Sequence, residues 1–206
     1  MSEHNLHLNE PIPYLPEPIV YTPASFNSKL KGDGEGVKIC IVDCGFPDHF
    51  SILNIGGNIN FTDSEDGGDV LGHATIVSGF LAADDAEQIT GLAPKATYYY
   101  AKMIDDEGNV GFGAFVAAIL WGIIKEVDLI VVSMTSDVYN SSLEETIKKA
   151  TDSNICVVAT SKSHTVFPAT FPNVLAVGEG GWNEISDGPF YSTFVEQNYA
   201  QGRGPT

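Results

Sequence analysis

Short apolar runs alternate with longer segments of helical periodicity between Val37 and Gly178. Such runs are typical of buried strands, and the segments between them are typical of helices. The alternation predicts a mostly parallel sheet with helices on both faces, which is a three-layer α/β fold. The predicted strands span residues 37–42, 58–61, 96–104, 128–134, 154–160 and 174–178, and the predicted helices span residues 73–83, 112–125 and 142–152.

The third predicted helix carries a start signal. Ser142 is followed three residues later by Glu145, which is the pattern of a capping box. In that motif each of the two side chains bonds the backbone N–H of the other residue. We therefore expect Ser142 to cap this helix.

The two ends of the chain do not follow the alternation. Prolines at 11, 13, 16 and 18 exclude a helix in residues 1–35, so we predict an extended N-terminal arm there and a single domain in residues 36–206. The glycines at 32, 34 and 36 are spaced as in a dinucleotide-binding loop. They precede the first strand instead of following it, which favours a plain turn.

The composition limits the classes of partner. The chain has 206 residues, with 27 acidic and 10 basic side chains and a formal net charge of −17. Such a surface repels phosphate backbones and anionic headgroups, so we expect neither nucleic acid nor a membrane as a partner. No apolar run approaches the ~20 residues that span a bilayer, and the first residues lack the pattern of a secretory signal. We therefore expect a cytoplasmic protein.

The cysteines agree with that location. Cys40, Cys44 and Cys156 are an odd number, and each lies in or beside an apolar run. Buried free thiols in a reducing compartment explain this pattern better than a disulfide framework does.

Two residues stand where parallel sheets collect their catalytic groups. Asp43 directly follows the first strand, and ligands bind at the carboxyl ends of parallel strands. His73 opens the first helix, where the helix dipole disfavours a protonated imidazole. A histidine that accepts a proton there needs a carboxylate that fixes its tautomer and stabilises its charge, which Asp43 can supply. Each residue alone has an ordinary structural explanation, but together they predict the Asp–His half of a hydrolytic triad.

Six segments, in order, resemble sequence blocks of the subtilisin-like serine peptidases, the subtilases. The segment around Asp43 is similar to the family's strand that ends in Asp-Ser/Thr-Gly, and the segment around His73 is similar to its His-Gly-Thr-His-Val-Ala-Gly helix. On these blocks the chain is identified as a member of that family. The segments are VKICIVDCG, GHATIVSGFLAA, GLAPKATYYYAKMID, EGNVGF with AAILWGI, DLIVVSMTS and FPATFPNVLAVG.

The resemblance implies peptide-bond hydrolysis by a triad of Asp, His and Ser. In that scheme Asp43 orients His73, and His73 acts first as general base and then as general acid. The family also implies that a peptide or protein substrate lies as a strand between two edge segments. By position the substrate-binding residues are Gly108, Asn109, Val110, Ser133, Met134 and Thr135.

Two departures from the family pattern concern the chemistry itself. Where the family has Gly-Asn, whose side-chain amide binds the oxyanion, this chain continues from Ser161 with Lys162 and Ser163, which become the candidates for the oxyanion region. The block Gly-Thr-Ser-x-Ala-x-Pro, which carries the nucleophilic serine, does not occur in the 206 residues. Acyl transfer cannot begin without an attacking oxygen, so we expect a truncated catalytic domain that is inert by itself.

The missing block also has a structural consequence, because in the family it opens a long buried helix. Without that helix one face of the sheet is expected to expose apolar surface, or to be covered by a C-terminal fragment or a partner chain. No cofactor is expected. The acidic residues Asp84, Asp85 and Glu87 lie near the position of a calcium ion in many subtilases, but a solvated turn explains them better.

Two interpretations stay open. The first is an endopeptidase whose serine-bearing segment is missing from this chain or is supplied separately. The second is a natural pseudopeptidase that binds peptides or acts as a scaffold. We favour the first interpretation because a site that has long been inactive has no reason to keep both Asp43 and His73.

Overall fold

The computed structural model describes residues 32–85, 89–161 and 166–178. Within them a six-stranded sheet forms the middle layer, with the strand order β2-β5-β1-β6-β7-β8 and every neighbouring pair parallel. Two further short strands, β3 and β4, form a separate antiparallel pair. The strands are β1 Lys38–Asp43, β2 Ile55–Asn60, β3 Asp84–Asp85, β4 Ile89–Thr90, β5 Thr97–Lys102, β6 Leu129–Val132, β7 Cys156–Ser161 and β8 Val174–Gly178.

Three helices of the described ranges cover the sheet: α1 His73–Ala82, α2 Phe112–Ile124 and α3 Ser141–Asp152. The side chains of β1 alternate between two cores. Cys40 and Val42 pack with buried residues of α2 and α3, while Ile39 and Ile41 pack with buried residues of α1 on the other face. This arrangement confirms the predicted three-layer α/β fold with a mostly parallel sheet.

The start of α3 differs from the prediction. Its cap is Asn140, whose side-chain oxygen accepts a hydrogen bond from the N–H of Leu143 at 2.9 Å. The predicted capping box of Ser142 and Glu145 is therefore wrong. Asparagine caps helices as well as serine does, and Glu145 instead pairs with Lys149 one turn further along, with Nζ and Oε1 3.0 Å apart.

Two features of the sheets escaped the sequence pattern. Strand β2 begins at Ile55, before the predicted start at residue 58. The prediction started too late because Gly56 and Gly57 interrupt the apolar pattern of this edge strand. The antiparallel pair of β3 and β4 was not predicted at all. Each of these strands has only two residues, and β3 consists of two aspartates, so neither forms an apolar run.

The two faces of the main sheet are covered to different extents. On the face beneath α2 and α3, one row of register partners across β1, β6, β7 and β8 is buried throughout: Cys40, Ile130, Val157 and Val174. On the α1 face the corresponding row is Ile41, Val131, Val158 and Leu175. The exposure of the side chains rises along this row, from 0% at Ile41 to 38% at Leu175. Val177, further along β8, is 40% exposed. We call this part of the α1 face, formed by Cys156, Val158, Leu175 and Val177, the open sheet face.

The open sheet face corrects one prediction about the cysteines. All three are free thiols, but only Cys40 and Cys44 are buried, whereas Cys156 is exposed. Cys156 is the register partner of Leu129 at the start of β7, on the α1 side of the sheet. Its apolar neighbours in sequence predicted burial, but no element within the described ranges packs over it.

Most of the predicted N-terminal arm and all residues after Gly178 lie outside the described residues, which begin at Gly32 and end at Gly178. At the N-terminal boundary the predicted turn is present. Gly32, Gly34 and Gly36 have φ of 113°, 85° and 83°, and the N–H of Val37 bonds the carbonyl of Gly34 at 3.0 Å. None of the helices in the described ranges has the length and apolar character that a membrane crossing requires.

Candidate active site

The carboxyl edge of the sheet brings Asp43 and His73 together. Asp43 is the last residue of β1, which lies between β5 and β6, and His73 is the first residue of α1. The imidazole Nδ1 of His73 lies 2.9 Å from Oδ1 and 3.0 Å from Oδ2 of Asp43. The two residues that the sequence paired thus lie within hydrogen-bonding distance at the end of one parallel sheet.

This hydrogen bond determines which imidazole nitrogen can react. An ionised carboxylate only accepts hydrogen bonds, so Nδ1 of His73 carries a proton and donates a hydrogen bond to Asp43. Nε2 is then the unprotonated nitrogen, which is able to take up a proton. The side chain of His73 is 43% exposed and that of Asp43 only 2%. A reactant can therefore reach the ring, while the carboxylate is shielded from water.

The contact moves both pKa values towards the charged forms. Burial by itself raises the pKa of Asp43, but the hydrogen bond and charge of His73, together with the hydrogen bonds from Ser133 and the Cys44 N–H, hold it below the ordinary carboxyl value. The hydrogen bond to Asp43 raises the pKa of His73; burial opposes this rise, and the negative charges of Asp43 and Asp69 add to it. The site thus stabilises an imidazolium ion, the form that a histidine base takes once it has accepted a proton.

Two further donors hold the carboxylate of Asp43 in place. The hydroxyl of Ser133 donates to Oδ2 at 2.5 Å, and the backbone N–H of Cys44 donates to Oδ1 at 2.7 Å. Ser133 comes from the end of β6, so its hydroxyl approaches Asp43 from the neighbouring strand. With the contact from His73, both carboxylate oxygens are satisfied inside the protein, as a buried charge requires.

The predicted substrate-binding residues lie at the same edge of the sheet, on both sides of Asp43. Gly108, Asn109 and Val110 follow β5 in a turn that Asp105 closes by accepting the N–H of Asn109 at 2.8 Å. Ser133, Met134 and Thr135 follow β6. The hydroxyl of Ser133 bonds Asp43, so this side chain supports the carboxylate.

Three donor atoms at this edge lie close enough together to suggest a metal site. A carboxylate oxygen of Asp43, the sulfur of Cys44 and an imidazole nitrogen of His73 lie within 4.8 Å of one another. Each is already used in a hydrogen bond: Asp43 with His73, and the Cys44 thiol with Asp69 at 2.9 Å. In this structure the three residues belong to one hydrogen-bonded network.

Other candidate residues are placed as follows. Lys162 and Ser163, the candidates for the oxyanion region, lie outside the described residues, as does Glu87 of the acidic stretch. Asp84 of that stretch forms an ion pair with Lys95, with Nζ and Oδ2 2.8 Å apart. The expectation that this stretch is a solvated turn and not a calcium site stays a prediction.

Sequence reasoning missed three residues that build the site: Cys44, Asp69 and Lys102. Asp69 and Cys44 contact each other and the residues around His73, and the ammonium of Lys102 is almost fully buried at 1% exposure. For Lys102 a signal was available, because a lysine in the apolar run of β5 must find buried partners. For Cys44 and Asp69 the contacts join segments far apart in sequence, and nothing in the local pattern indicates them.

The fold and the site together define a class of protein: a parallel α/β domain with a triad-like Asp–His pair at the carboxyl edge of its sheet. Comparison with known sequences leads to the same class of protein. The sequence model of the subtilase family matches residues 34–188. The chain belongs to the subtilase family, which confirms the resemblance found in its sequence blocks.

Individual subtilisins are similar to this chain over most of its length. Subtilisin E from Bacillus subtilis (strain 168) is 30% identical over 156 residues, which cover 70% of this chain and 41% of that protein. Subtilisin BL from Lederbergia lenta is 31% identical over 165 residues, which cover 77% of this chain and 60% of that protein. Subtilisin from Bacillus pumilus is 30% identical, with 57% of its length covered. The chain thus spans only part of the length of these relatives.

Proposed function

We propose that this domain contributes the aspartate and the histidine of a subtilisin-like serine endopeptidase, and that the 206-residue polypeptide does not hydrolyse peptides by itself. The observation that carries the proposal is the bond from Nδ1 of His73 to the buried carboxylate of Asp43. It leaves Nε2 unprotonated on a ring that is partly exposed.

In the proposed reaction Nε2 of His73 removes the proton from a serine hydroxyl as that oxygen attacks the substrate carbonyl. Asp43 stays ionised and stabilises the imidazolium that forms. His73 then returns the proton to the leaving amine, and the cycle repeats with water in place of the amine. Asp43 is suited to its part because Ser133 and the Cys44 N–H hold the carboxylate in one orientation.

The substrate in this proposal is an extended peptide that lies between the segment 108–110 and the segment 133–135. Their position supports this role, since they leave the carboxyl ends of the two strands that flank β1. Thr135 and Ser136 stand where the family has two glycines. Their side chains narrow or reshape the pocket between the segments 108–110 and 133–135. Lys162 and Ser163 are the proposed oxyanion region.

The nucleophilic serine has to come from a segment with the Gly-Thr-Ser-x-Ala-x-Pro pattern, which the 206 residues lack. We propose that a C-terminal fragment or a partner chain supplies this segment and packs on the open sheet face. The exposure of Leu175 and Val177 supports the proposal, because strands of parallel sheets are normally buried on both faces. In this scheme residues 36–206 are the catalytic domain and residues 1–35 its arm, and the free thiols favour a cytoplasmic location.

A second candidate function is that of a pseudopeptidase, which binds peptides in the same cleft without cleaving them. It is favoured by Ser161-Lys162-Ser163 in place of the family's Gly-Asn and by the residues at 135 and 136. Both candidates predict peptide binding at residues 108–110 and 133–135. The two candidates differ in whether a reactive serine comes within hydrogen-bonding distance of His73.

A fluorophosphonate probe, which forms a covalent bond with activated serines, tests the proposal. We expect no labelling of the 206-residue polypeptide. We expect labelling of a polypeptide extended by the reading frame beyond Thr206, and its loss in the matched variant His73→Ala. Labelling of the 206-residue chain that depends on His73 would show that the chain is not inert. An extended chain that binds an N-acetylated tetrapeptide amide but is never labelled would favour the pseudopeptidase.

A further inference from the structure

The loop before α1 brings a second carboxylate close to His73. Oδ2 of Asp69 accepts hydrogen bonds from the backbone N–H of Thr75 at 2.7 Å and from its hydroxyl at 2.6 Å. Oδ1 accepts from the N–H of Gly72 at 2.9 Å and from the thiol of Cys44 at 2.9 Å. Asp69 therefore bonds the residues on both sides of His73 in the chain, although it does not contact the imidazole itself.

These bonds replace an ordinary helix cap. The N-cap residue of α1 is Gly72, which has a left-handed backbone with φ of 79° and no side chain to bond the free N–H groups. Asp69 supplies the missing acceptor to the N–H of Thr75, the third residue of the helix, which a cap side chain normally bonds. Its negative charge also suits the positive end of the helix dipole. The first turn of α1, which includes His73, is thus fixed by Asp69.

The backbone of Asp69 is in turn bound to the segment that follows β1. Its N–H bonds the carbonyl of Phe46 at 3.1 Å, and the N–H of Phe46 bonds the carbonyl of Gly67 at 2.9 Å. This approach is so close that a Cβ on Gly45 would lie 2.4 Å from the carbonyl oxygen of Gly68. The buried ammonium of Lys102 bonds the same carbonyl at 2.8 Å. Asp69 is therefore held by backbone contacts and by a buried charge.

Cys44 joins this network to Asp43. Its backbone N–H donates to Oδ1 of Asp43 at 2.7 Å, and its thiol donates to Oδ1 of Asp69. The carboxylate that bonds the imidazole and the carboxylate that holds the helix are thus linked through one residue. In the described part of the chain, the negative charges of Asp43 and Asp69 both raise the pKa of His73.

We propose that Asp69 is a positioning residue, which holds the first turn of α1 against the end of β1 and so keeps the imidazole of His73 on Asp43. The proposal rests on the proposed role of His73 as the base, since only that role requires a fixed imidazole. In this proposal Asp69 takes no part in proton transfer. It determines whether Nε2 of His73, the nitrogen that accepts the proton, faces the attacking hydroxyl.

The variant Asp69→Asn tests it because asparagine has nearly the same shape but only one acceptor oxygen. Whichever way the amide turns, its NH2 group faces an N–H donor, of Thr75 or of Gly72, so one side of the network is lost. We expect the signal of the His73 Nδ1 proton in the NMR spectrum of the full chain to exchange with water roughly ten to a hundred times faster. We also expect the pKa of His73 to fall.

Two further variants separate the possible causes. Glu65→Gln removes one negative charge from the same loop at an exposed side chain, and we expect it to leave the exchange rate unchanged. Thr75→Val removes only the hydroxyl bond, and we expect exchange to be roughly three to ten times faster. If Asp69→Asn loses the dispersed amide signals of a folded protein, Thr75→Val decides the question.

The outcomes distinguish this proposal from the proposed function. Unchanged exchange in both Asp69→Asn and Thr75→Val, or a change no larger than that in Glu65→Gln, would overturn the positioning role. Asp43→Asn tests the pair itself. If that variant leaves the Nδ1 proton and the titration of His73 unchanged, the proposed function fails, whatever Asp69 does. If it alters them while Asp69→Asn does not, only the positioning role fails.

Discussion

The hydroxyl of Ser133 lies 2.5 Å from Oδ2 of Asp43, so the carboxylate at the end of β1 is held by a residue that follows the neighbouring strand β6. Ser133 was predicted only as part of a substrate edge. Its contact shows that the same segment also supports the carboxylate beneath His73. The predicted substrate edge and the orientation of the Asp43–His73 pair are therefore linked through one side chain.

Replacement of Ser133 by alanine should destabilise the fold. A hydrogen bond to a buried charge contributes about 1.5–3 kcal/mol, so we expect the free energy of unfolding of Ser133→Ala to fall by about that amount. The pKa of Asp43 should rise, because the bond from Ser133 is one of the causes that lower it. Urea unfolding at neutral pH measures the first effect. Ser136→Ala is the control. Its hydroxyl bonds only exposed backbone groups of Val138, donating to the carbonyl at 3.4 Å and accepting from the N–H at 3.1 Å, so it should change stability by less than about 1 kcal/mol.

Replacement of Asp43 by asparagine should lower the pKa of His73. The hydrogen bond from His73 to Asp43 is the largest cause of the rise in that pKa, and the charge of Asp43 is a further one. The side-chain oxygen of asparagine can still accept the hydrogen bond, but the substitution removes the negative charge. NMR titration of the Cε1 proton of His73 in the two proteins measures the change. A titration curve for His73 that is identical in both proteins would contradict the assigned pairing.

The pair should also give the stability of the fold a defined dependence on pH. The pKa of His73 is raised in the folded state, so its contribution is complete below the ordinary value of 6.5 and is lost as the pH rises through the folded value. The pKa of Asp43 is lowered, so its contribution is present above the ordinary value of 3.8 and is lost as the pH falls through the folded value. The excess stability of the wild type over His73→Gln should therefore shrink at alkaline pH and at strongly acidic pH. Urea unfolding of the two proteins between about pH 3 and about pH 10 measures it, and a constant difference would contradict the ion pair.

The open sheet face should make Cys156 the reactive thiol of the folded domain. Cys40 and Cys44 are buried, and burial raises the pKa of Cys40 to about 12. The pKa of Cys156 is also raised by burial, so the reaction is best followed at mildly alkaline pH, where more thiolate forms. We expect a maleimide reagent to modify Cys156 alone in the native protein and all three cysteines in urea. Cys156→Ala should abolish native labelling, and native labelling that persists in this variant would contradict the exposure pattern.

The cap of α3 gives a test that separates structure from sequence pattern. Asn140→Ala should lower the free energy of unfolding by about 0.5–2 kcal/mol, because the N–H of Leu143 loses its acceptor. Ser142→Ala, at an exposed side chain that the sequence suggested as the cap, should change stability by less than about 0.5 kcal/mol. Equal effects of the two substitutions on the urea midpoint would favour the capping box.

Local sequence patterns were enough to predict the layers of this fold and the residues of the candidate pair. Apolar runs and helical segments are local patterns, and they were sufficient to predict the parallel sheet, the helices over residues 73–83 and 112–125 and the strand at 174–178. Asp43 and His73 were predictable because each occupies a position defined locally, a strand end and a helix start. The motifs around them also indicated the family.

Which groups contact one another at that edge depends on how distant segments pack in the folded chain. Ser133 bonds Asp43 because β6 pairs with β1 in one particular register, and Asp69 bonds Thr75 and Cys44 because two loops pack together across Gly45. The same holds for Cys156, whose exposure depends on what covers β7 and not on its apolar neighbours in sequence. Hydrogen bonds and burial depend on distances between segments far apart in the chain, and a local pattern carries no information about such distances.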